Sequence, residues 1–248
     1  VLLSISIFVK SYFHIERYLS SDSINYLNLA QNLVDGNGFH IQSELFKERV
    51  FFSLWPIGYS YLIYIVSLLT GLSVLWASKT LNVFFIALIL ISLRVTFQKS
   101  AYIYALIFLF APYIDLFSYT WSETMFVFGL IWFSTSLLAF INKSDNLILS
   151  SISVLLSTFF LFLSRYAGIF SIMIIVIVLS YYIIKKNQIK TFLISGILLT
   201  NLLFVFGYFN LINNFSLEAR SYFPYEISDF LILTFKALVS ELIIIDTH

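Results

Sequence analysis

The sequence predicts an all-α, polytopic membrane protein, and its composition and its pattern of apolar runs both support that prediction. Hydrophobic residues make up 60% of the 248 residues, charged residues make up 11%, and the mean hydropathy is +0.94. A water-soluble domain would carry about a quarter charged residues. The apolar runs are long and continuous, whereas a transmembrane barrel would show short alternating segments, so helices are favoured.

Eight apolar segments follow one another, and we expect about seven of them to be transmembrane helices. They lie at about 1–15, 56–70, 78–93, 101–117, 124–141, 147–163, 167–184 and 191–209. The exception is 56–70, which has only 15 residues and begins with Pro56 and Gly58. Because a full span needs about 20 residues, we expect this segment to be an interfacial or re-entrant helix.

The organisation of the chain is predicted to be one membrane domain over residues 1–210, with a large outer loop at about 16–56. Residues 211–248 are expected to be an outer loop or the start of a truncated C-terminal region. The chain begins inside an apolar run without methionine. We therefore expect a fragment of a longer protein, in which residues 1–9 are the tail of a first span rather than a signal peptide.

The basic residues between apolar segments predict the orientation of the helices. If 56–70 does not cross the membrane, these residues all face the cytoplasm, as the positive-inside rule favours. They are Arg94, Lys99, Lys143, Lys185, Lys186 and Lys190. The loop 16–56, the breaks at 121–123 and 165, and the C-terminal tail then share the outer face. If 56–70 does cross, every later lysine-rich loop faces outward instead.

Several function classes are excluded or left without support. The absence of cysteine excludes disulfides, thiolate metal sites and cysteine nucleophiles. The net charge of +1 gives no indication of nucleic-acid binding. The three histidines have no metal-ligand spacing, and there is no glycine-rich phosphate loop.

The first candidate functional residue is Asp22, at the start of a short amphipathic helix. Serines at 20, 21 and 23 surround it, and the pattern predicts that the helix ends near Gly36. Asp22 either caps the helix, a role worth about 1 kcal/mol, or acts in chemistry, since the serines could cap equally well. Tyr26 follows one turn later on the same face.

Three further polar breaks carry candidate residues. At 119–123, Ser122 and Glu123 either begin a helix, where the dipole favours the acid, or supply a second carboxylate. Arg165, in the break 164–168, either reaches for lipid headgroups or binds phosphate with its planar fork. Lys47 and Arg49 are either a solvated charge cluster or a contact for lipid phosphate.

In this order, the polar segments resemble those of the membrane glycosyltransferases of the C structural class, in the branch of the protein O-mannosyltransferases and lipid A aminoarabinose transferases. The matching positions are Asp22, 26–33, 36–39, 55–59, Gly71, 122–123 and 164–168. Two positions depart from the family pattern. Ser23 stands where the family commonly has a second acid, which puts a metal role in doubt, and Ile57 stands where it commonly has proline.

The resemblance implies a glycosyltransferase that moves a sugar from a polyprenyl-phosphate donor to a hydroxyl of a protein, lipid or glycan acceptor. Inversion at the anomeric carbon is expected, with Asp22 as general base and Glu123 orienting the acceptor, assisting the base or holding a divalent cation. The expected substrate-binding residues are Tyr26, Lys47, Arg49, Tyr59, Arg165 and Tyr166. No cofactor beyond that possible cation is implied. The expected location is a bacterial cell membrane, with the site on the periplasmic or extracellular face.

Alternatives from other classes remain at this stage. A transporter or a flippase for lipid-linked glycans would place ionisable residues or broken helices at mid-membrane in two related halves. Here the charges cluster at segment ends and no repeat is present. A polysaccharide polymerase or ligase is expected to carry a large basic outer loop late in the chain. A structural membrane subunit without activity is the remaining alternative.

Overall fold

The computed structural model of the chain describes residues 2–42, 49–52, 54–142 and 146–215. Most of these residues are helical, in agreement with the predicted class. In chain order the elements are α1 Leu2–Phe13, α2 Ser21–Val34, β1 His40–Gln42, β2 Arg49–Phe51, α3 Gly58–Thr70, α4 Val74–Phe97, α5 Ala101–Ala105, α6 Ala111–Ser118, α7 Glu123–Asn142, α8 Leu147–Ser164, α9 Phe170–Ile184 and α10 Gln188–Phe215. Turns of 3₁₀ helix lie at Gln98–Ser100, Leu106–Leu109 and Tyr166–Ile169.

Within the described residues, five helical stretches are long and apolar enough to cross a membrane. They are Val74–Leu109, Glu123–Asn142, Leu147–Ser164, Tyr166–Ile184 and Gln188–Leu211. The expected number of seven is therefore not confirmed. The difference comes from α1, which has 12 residues, and from the segment 101–117, which is divided among short helices. Pro112 lies in the first turn of α6, where its ring is tolerated, whereas it would break the interior of a longer helix.

Helix α3 covers the segment whose length was in question. It has 13 residues, which corresponds to about 20 Å at 1.5 Å per residue. That is shorter than the roughly 30 Å of bilayer hydrocarbon. The helix ends at Gly71, whose φ of 71° is the left-handed conformation that glycine adopts most easily. It packs against α2 and α4.

The chain reverses direction after α4, although the segment that returns, residues 98–118, is divided among short helices and turns. The side-chain amide of Asn82 donates to the carbonyls of Phe117 and Tyr119 at 2.9 and 2.8 Å. The end of α6 therefore lies beside the first half of α4, while Gln98 lies beyond the other end of α4. Residues 98–118 consequently run back along α4.

One small hairpin departs from the all-α prediction in the described part of the chain. Strands β1 and β2 pair antiparallel, with Ile41 opposite Val50. Phe52 extends the pairing by donating from its backbone to the carbonyl of Phe39 at 2.9 Å. The sequence did not predict these strands, because the run 50–52 that favours a β-strand is short and follows the charged segment 44–49.

The described helices leave charged groups at two opposite ends of the bundle. The basic end carries Arg94, Lys99, Lys185, Lys186 and Lys190; Lys143 lies outside the described residues. The amine of Lys190 donates to the carbonyls of Phe140 and Ile141, at 2.9 and 2.8 Å, which joins the start of α10 to the end of α7. The polar end carries α2, the break 119–123 and the break at 165.

Candidate functional site

Asp22 is not the cap of its helix. The N-cap of α2 is Ser20, whose hydroxyl accepts a hydrogen bond from the backbone N–H of Ser23 at 3.2 Å. Asp22 lies in the first turn and is half-buried. In the part of the chain that the structure describes, nothing donates a hydrogen bond to its carboxylate. The capping alternative is therefore wrong, and the carboxylate is available to a ligand.

Two side-chain hydrogen bonds join α2 to the break before α7, about one hundred residues away. The hydroxyls of Tyr26 and Ser122 lie 3.0 Å apart, and the indole N–H of Trp121 donates to the Ser20 hydroxyl at 2.6 Å. Ser122 directly precedes α7, and its carbonyl accepts the first bond of the helix from the N–H of Phe126 at 2.8 Å. The Ser122 side chain thus binds Tyr26 while its backbone starts the helix.

Arg165 forms an ion pair and a hydrogen bond with Glu123. The two side chains keep 32% and 29% of their surfaces exposed. The guanidinium carbon of Arg165 also lies 5.9 Å from the centre of the Trp55 ring, within the range of a cation–π contact. Since a guanidinium has five N–H donors, this pairing leaves capacity for an anion.

Tyr26, also expected to bind substrate, is only 4% exposed and lies near these charges. Burial is the main cause that raises the pKa of its hydroxyl to about 12. The negative charges of Glu123 and Asp22 raise the pKa further, whereas the hydrogen bond with Ser122 and the charge of Arg165 lower it. Tyr26 therefore stays protonated at neutral pH, with its hydroxyl bonded to Ser122.

Tyr59 was expected to touch substrate, but the structure buries it completely. Its exposed fraction is 0%, and its hydroxyl donates to the side-chain carbonyl of Asn82 at 2.9 Å. Its ring meets the ring of Tyr26 edge to face, with 5.2 Å between centroids. Tyr59 packs in the core because α3 turns this face toward α2 and α4. A direct contact with a donor in the lipid is therefore not supported.

The other expected binding residues are placed less directly. Tyr166 follows Arg165, but its ring packs on Phe209 of α10, with 5.7 Å between centroids. Lys47 lies outside the described residues, and only the backbone position of Arg49, opposite Gln42, is described. The structure thus brings Asp22, Tyr26, Glu123 and Arg165 together, whereas the rings of Tyr59 and Tyr166 pack against other aromatic rings behind them.

Two glycines, Gly58 and Gly168, allow the close backbone packing that positions Arg165. A Cβ on Gly58 would lie 2.4 Å from the carbonyl oxygen of Leu163, and one on Gly168 would lie 2.3 Å from the backbone of Leu161. The start of α3 and the turn after Arg165 therefore pack directly on the end of α8. The short distance between Trp55 and Arg165 follows from this packing.

Two buried polar residues of α4 support the site and were missed from the sequence. Lys79 and Asn82 are both 0% exposed. The amine of Lys79 donates to the carbonyl of Ser118 at 2.6 Å, while Asn82 binds the carbonyls on either side of that residue. Together they hold the break before α7 against α4. The sequence could have indicated this role, because a lysine and an asparagine inside the apolar run 78–93 need polar partners.

Among the described residues, no group of three or more histidines, aspartates or glutamates has the geometry to hold a metal ion. No protein-family model, no curated protein and no solved structure matches this chain. The functional interpretation therefore depends on the site formed by Asp22, Tyr26, Glu123 and Arg165.

Proposed function

We propose that this protein is a membrane glycosyltransferase that moves a sugar from a polyprenyl-phosphate donor to an acceptor hydroxyl. One observation carries the proposal. Asp22, whose carboxylate has no hydrogen-bond donor among the described residues, lies one helical turn before Tyr26, and the Tyr26 hydroxyl bonds to Ser122, the neighbour of the Glu123 that pairs with Arg165. Transfer from a phosphate carrier requires the charges of Asp22 and Arg165, one as base and one for the leaving group.

Asp22 is the proposed general base. A base must accept a proton from the attacking hydroxyl within hydrogen-bond distance, so its lone pairs must be free in the resting enzyme. The hydroxyl of Ser20, and not the Asp22 carboxylate, caps the N-terminus of α2. The lone pairs of Asp22 are therefore free to accept this proton. The acceptor oxygen attacks the anomeric carbon as its proton passes to the Asp22 carboxylate. By analogy with the geometry of glycosidases, this single displacement inverts the configuration.

Arg165 is the proposed ligand of the departing phosphate. As the new bond forms, the bond between the anomeric carbon and the phosphate oxygen breaks, and its electron pair leaves with the phosphate. A phosphate is a weak base and needs positive charge rather than a proton. The fork of a guanidinium matches phosphate oxygens. Glu123 orients that fork through the ion pair, which is compatible with the additional roles expected of it toward acceptor or cation.

The path of the chain supports a count of seven crossings. Helix α1 and the returning segment 98–118 would add two crossings to α4, α7, α8, α9 and α10. Each crossing then runs opposite to the one before it. The positive-inside rule places the basic end in the cytoplasm, so the polar end with Asp22 would face the periplasm or the exterior of a bacterial cell. A polyprenyl chain would reach that end from within the bilayer.

The experiment is a transfer assay in membranes with a panel of polyprenyl-phosphate sugars. We expect Asp22→Asn to lower transfer by about 10²–10⁴, the usual contribution of a general base. Asp35→Asn is the matched control, because Asp35 is an exposed acid at the other end of the same helix and binds Gln31. Full transfer by the Asp22→Asn protein would reject Asp22 as the base. No transfer from any donor by the unaltered protein would reject the enzyme and favour a flippase or transporter.

A further inference from the structure

The last turns of α10 contact both chain segments that surround Arg165. Tyr208 lies about twenty residues after Gln188, the first residue of α10, which corresponds to about 30 Å along the helix. This distance brings Tyr208 from the basic end of the bundle to the polar end. The side chain is 9% exposed. Its neighbours come from the start of α3, the end of α8 and the turn after Arg165.

The hydroxyl of Tyr208 holds the segment that leads into α3. It accepts a hydrogen bond from the backbone N–H of Ile57 at 3.2 Å. Ile57 directly precedes Gly58, the first residue of α3, so this N–H has no acceptor within the helix. The bond therefore satisfies a helix end and ties the chain at 55–57 to α10.

The position of the Trp55 ring depends on that backbone. The indole N–H of Trp55 is buried and makes no hydrogen bond with the described residues, so no polar contact of this N–H fixes the ring. Pro56 stands between Trp55 and Ile57, and its ring locks its own φ at about −65°. Little backbone freedom is left between the two residues, so a shift of Ile57 is passed on to the indole.

Tyr208 also packs beside the segment that carries the arginine. Its ring centre lies 5.2 Å from that of Phe162, near the end of α8, and 6.5 Å from that of Tyr166, the residue after Arg165. Both pairs meet edge to face, the arrangement that aromatic rings favour. One side chain of α10 thus contacts the chain on both sides of the contact between Trp55 and Arg165.

The direction of the Arg165 guanidinium depends on its neighbours. It contacts the carboxylate of Glu123 and lies 5.9 Å from the centre of the Trp55 ring. A guanidinium binds phosphate through parallel N–H groups in one plane, so the direction of that plane matters as much as the charge. The Trp55 ring limits how this plane can turn, and the ring is held in turn through Ile57.

We propose that Tyr208 is a positioning residue that sets the orientation of Arg165 for the donor phosphate. It acts through Ile57 and Trp55 rather than by contact with the substrate. The inference rests on the proposed role of Arg165 as the ligand of the phosphate. It gives α10 a role in that site as well as in the bundle.

The first test compares the binding of geranyl phosphate and geraniol to the purified protein in detergent. The two molecules share a prenyl chain and differ in the phosphate. Tyr208→Phe keeps the ring and removes only the hydroxyl that accepts from Ile57. We expect the affinity for geranyl phosphate to fall about fivefold, while the affinity for geraniol stays the same. An unchanged affinity for geranyl phosphate, or an equal loss for both molecules, would overturn the proposal.

Tyr182→Phe is the matched control. Tyr182 is another buried tyrosine, 4% exposed, and its hydroxyl accepts a hydrogen bond from the Lys190 amine at 3.4 Å. It lies at the basic end of the bundle, so the substitution removes a similar hydroxyl far from Arg165. Binding of geranyl phosphate should stay the same in this variant. A loss as large as that of Tyr208→Phe would mean that removal of any buried hydroxyl has this effect.

The route from Tyr208 to Arg165 is tested with Trp55→Leu, which removes the ring beside the guanidinium. We expect it to weaken geranyl phosphate binding at least as much as Tyr208→Phe does. The double variant should bind no more weakly than Trp55→Leu alone, because both changes act on the same contact. Losses that multiply in the double variant would overturn the route through Trp55.

Arg165→Gln separates failure of this inference from failure of the proposed function. If Arg165→Gln binds geranyl phosphate as tightly as the unaltered protein, Arg165 is not the phosphate ligand and both proposals are rejected. If Arg165→Gln weakens binding and Tyr208→Phe does not, only the positioning role is rejected. When both weaken binding, Tyr208→Phe should have no further effect in the Arg165→Gln protein.

Discussion

Arg165 and Glu123 form an ion pair across 42 positions of sequence, joining the break after α8 to the first residue of α7. A third of each side chain is exposed, so water screens the attraction. We expect a coupling of only about 0.5–1 kcal/mol in a double-mutant cycle with Glu123→Gln and Arg165→Gln. The importance of the pair is therefore expected to lie in orienting the guanidinium rather than in stability.

The reversed pair tests this prediction. Replacing Glu123→Arg and Arg165→Glu together should restore most of the thermal stability, because opposite charges still face each other. Transfer should remain at least about tenfold below the unaltered protein, because the phosphate-binding fork is displaced. Recovery of both stability and transfer in the reversed pair would mean that only the ion pair matters.

The hydrogen bond between Tyr26 and Ser122 should contribute measurably to stability. Tyr26→Phe leaves the 1%-exposed Ser122 hydroxyl without this partner. We expect a loss of about 1 kcal/mol in the free energy of unfolding. Ser122→Ala should cost a similar amount, and the double variant should cost little more than either one. Tyr61→Phe is the control, because Tyr61 is 43% exposed; a comparable loss there would point to a general effect of removing a hydroxyl.

The same tyrosine predicts a pH dependence on the alkaline side. Burial raises the pKa of Tyr26 to about 12, whereas an unfolded tyrosine titrates near 10. The folded state holds this proton more tightly, so the stabilisation is complete below about pH 10 and is lost as the pH rises toward 12. Linkage gives a loss of about 1.4 kcal/mol by about pH 11. Chemical unfolding should be measured below about pH 10 and at about pH 11. The decrease in the free energy of unfolding between these two conditions should be smaller for Tyr26→Phe than for the unaltered protein.

The close approach of Gly168 to α8 predicts a large effect from one methyl group. In Gly168→Ala the new Cβ would meet the backbone of Leu161 at 2.3 Å, and backbone cannot move aside as a flexible side chain does. We expect a loss of about 1–3 kcal/mol and lower transfer, because the turn that follows Arg165 must shift. Gly196→Ala is the control, since a Cβ there meets nothing within 4 Å. As α10 is helical at that position, we expect a gain of up to about 1 kcal/mol.

Asn82 makes three hydrogen bonds, of which two hold the chain before α7 and one binds Tyr59 of α3. Asn82→Leu removes the bonds to Tyr59, Phe117 and Tyr119 and leaves buried carbonyls without a donor. We expect the free energy of unfolding to fall by about 2–3 kcal/mol. Thr80→Val on the same helix serves as the control, because the Thr80 hydroxyl bonds only to the carbonyl of Trp76. Similar melting temperatures for the Asn82→Leu and unaltered proteins would contradict this role.

Local features of the sequence were sufficient for the class of the protein and for several of its elements. Long apolar runs predicted a helical bundle, because a helix satisfies its own backbone in lipid. The serines before Ile24 and the glycine at 36 predicted both ends of α2, which the structure confirms at Ser21 and Val34. These features depend on residues close together in the chain, so a sequence pattern reports them directly.

Contacts between distant segments were decided only by tertiary packing. The sequence allowed Asp22 to be either a helix cap or a catalytic group. The hydrogen bond from the N–H of Ser23 to the Ser20 hydroxyl shows that Ser20 is the cap instead. The sequence also gave Tyr59 as a substrate-binding residue, whereas packing of α3 on α2 and α4 buries that ring. Arg165 had several conceivable partners until the folding of α7 beside α8 brought Glu123 to it. Spacing along a helix sets which residues share a face, but the neighbouring helices determine whether that face meets lipid, protein or an ion.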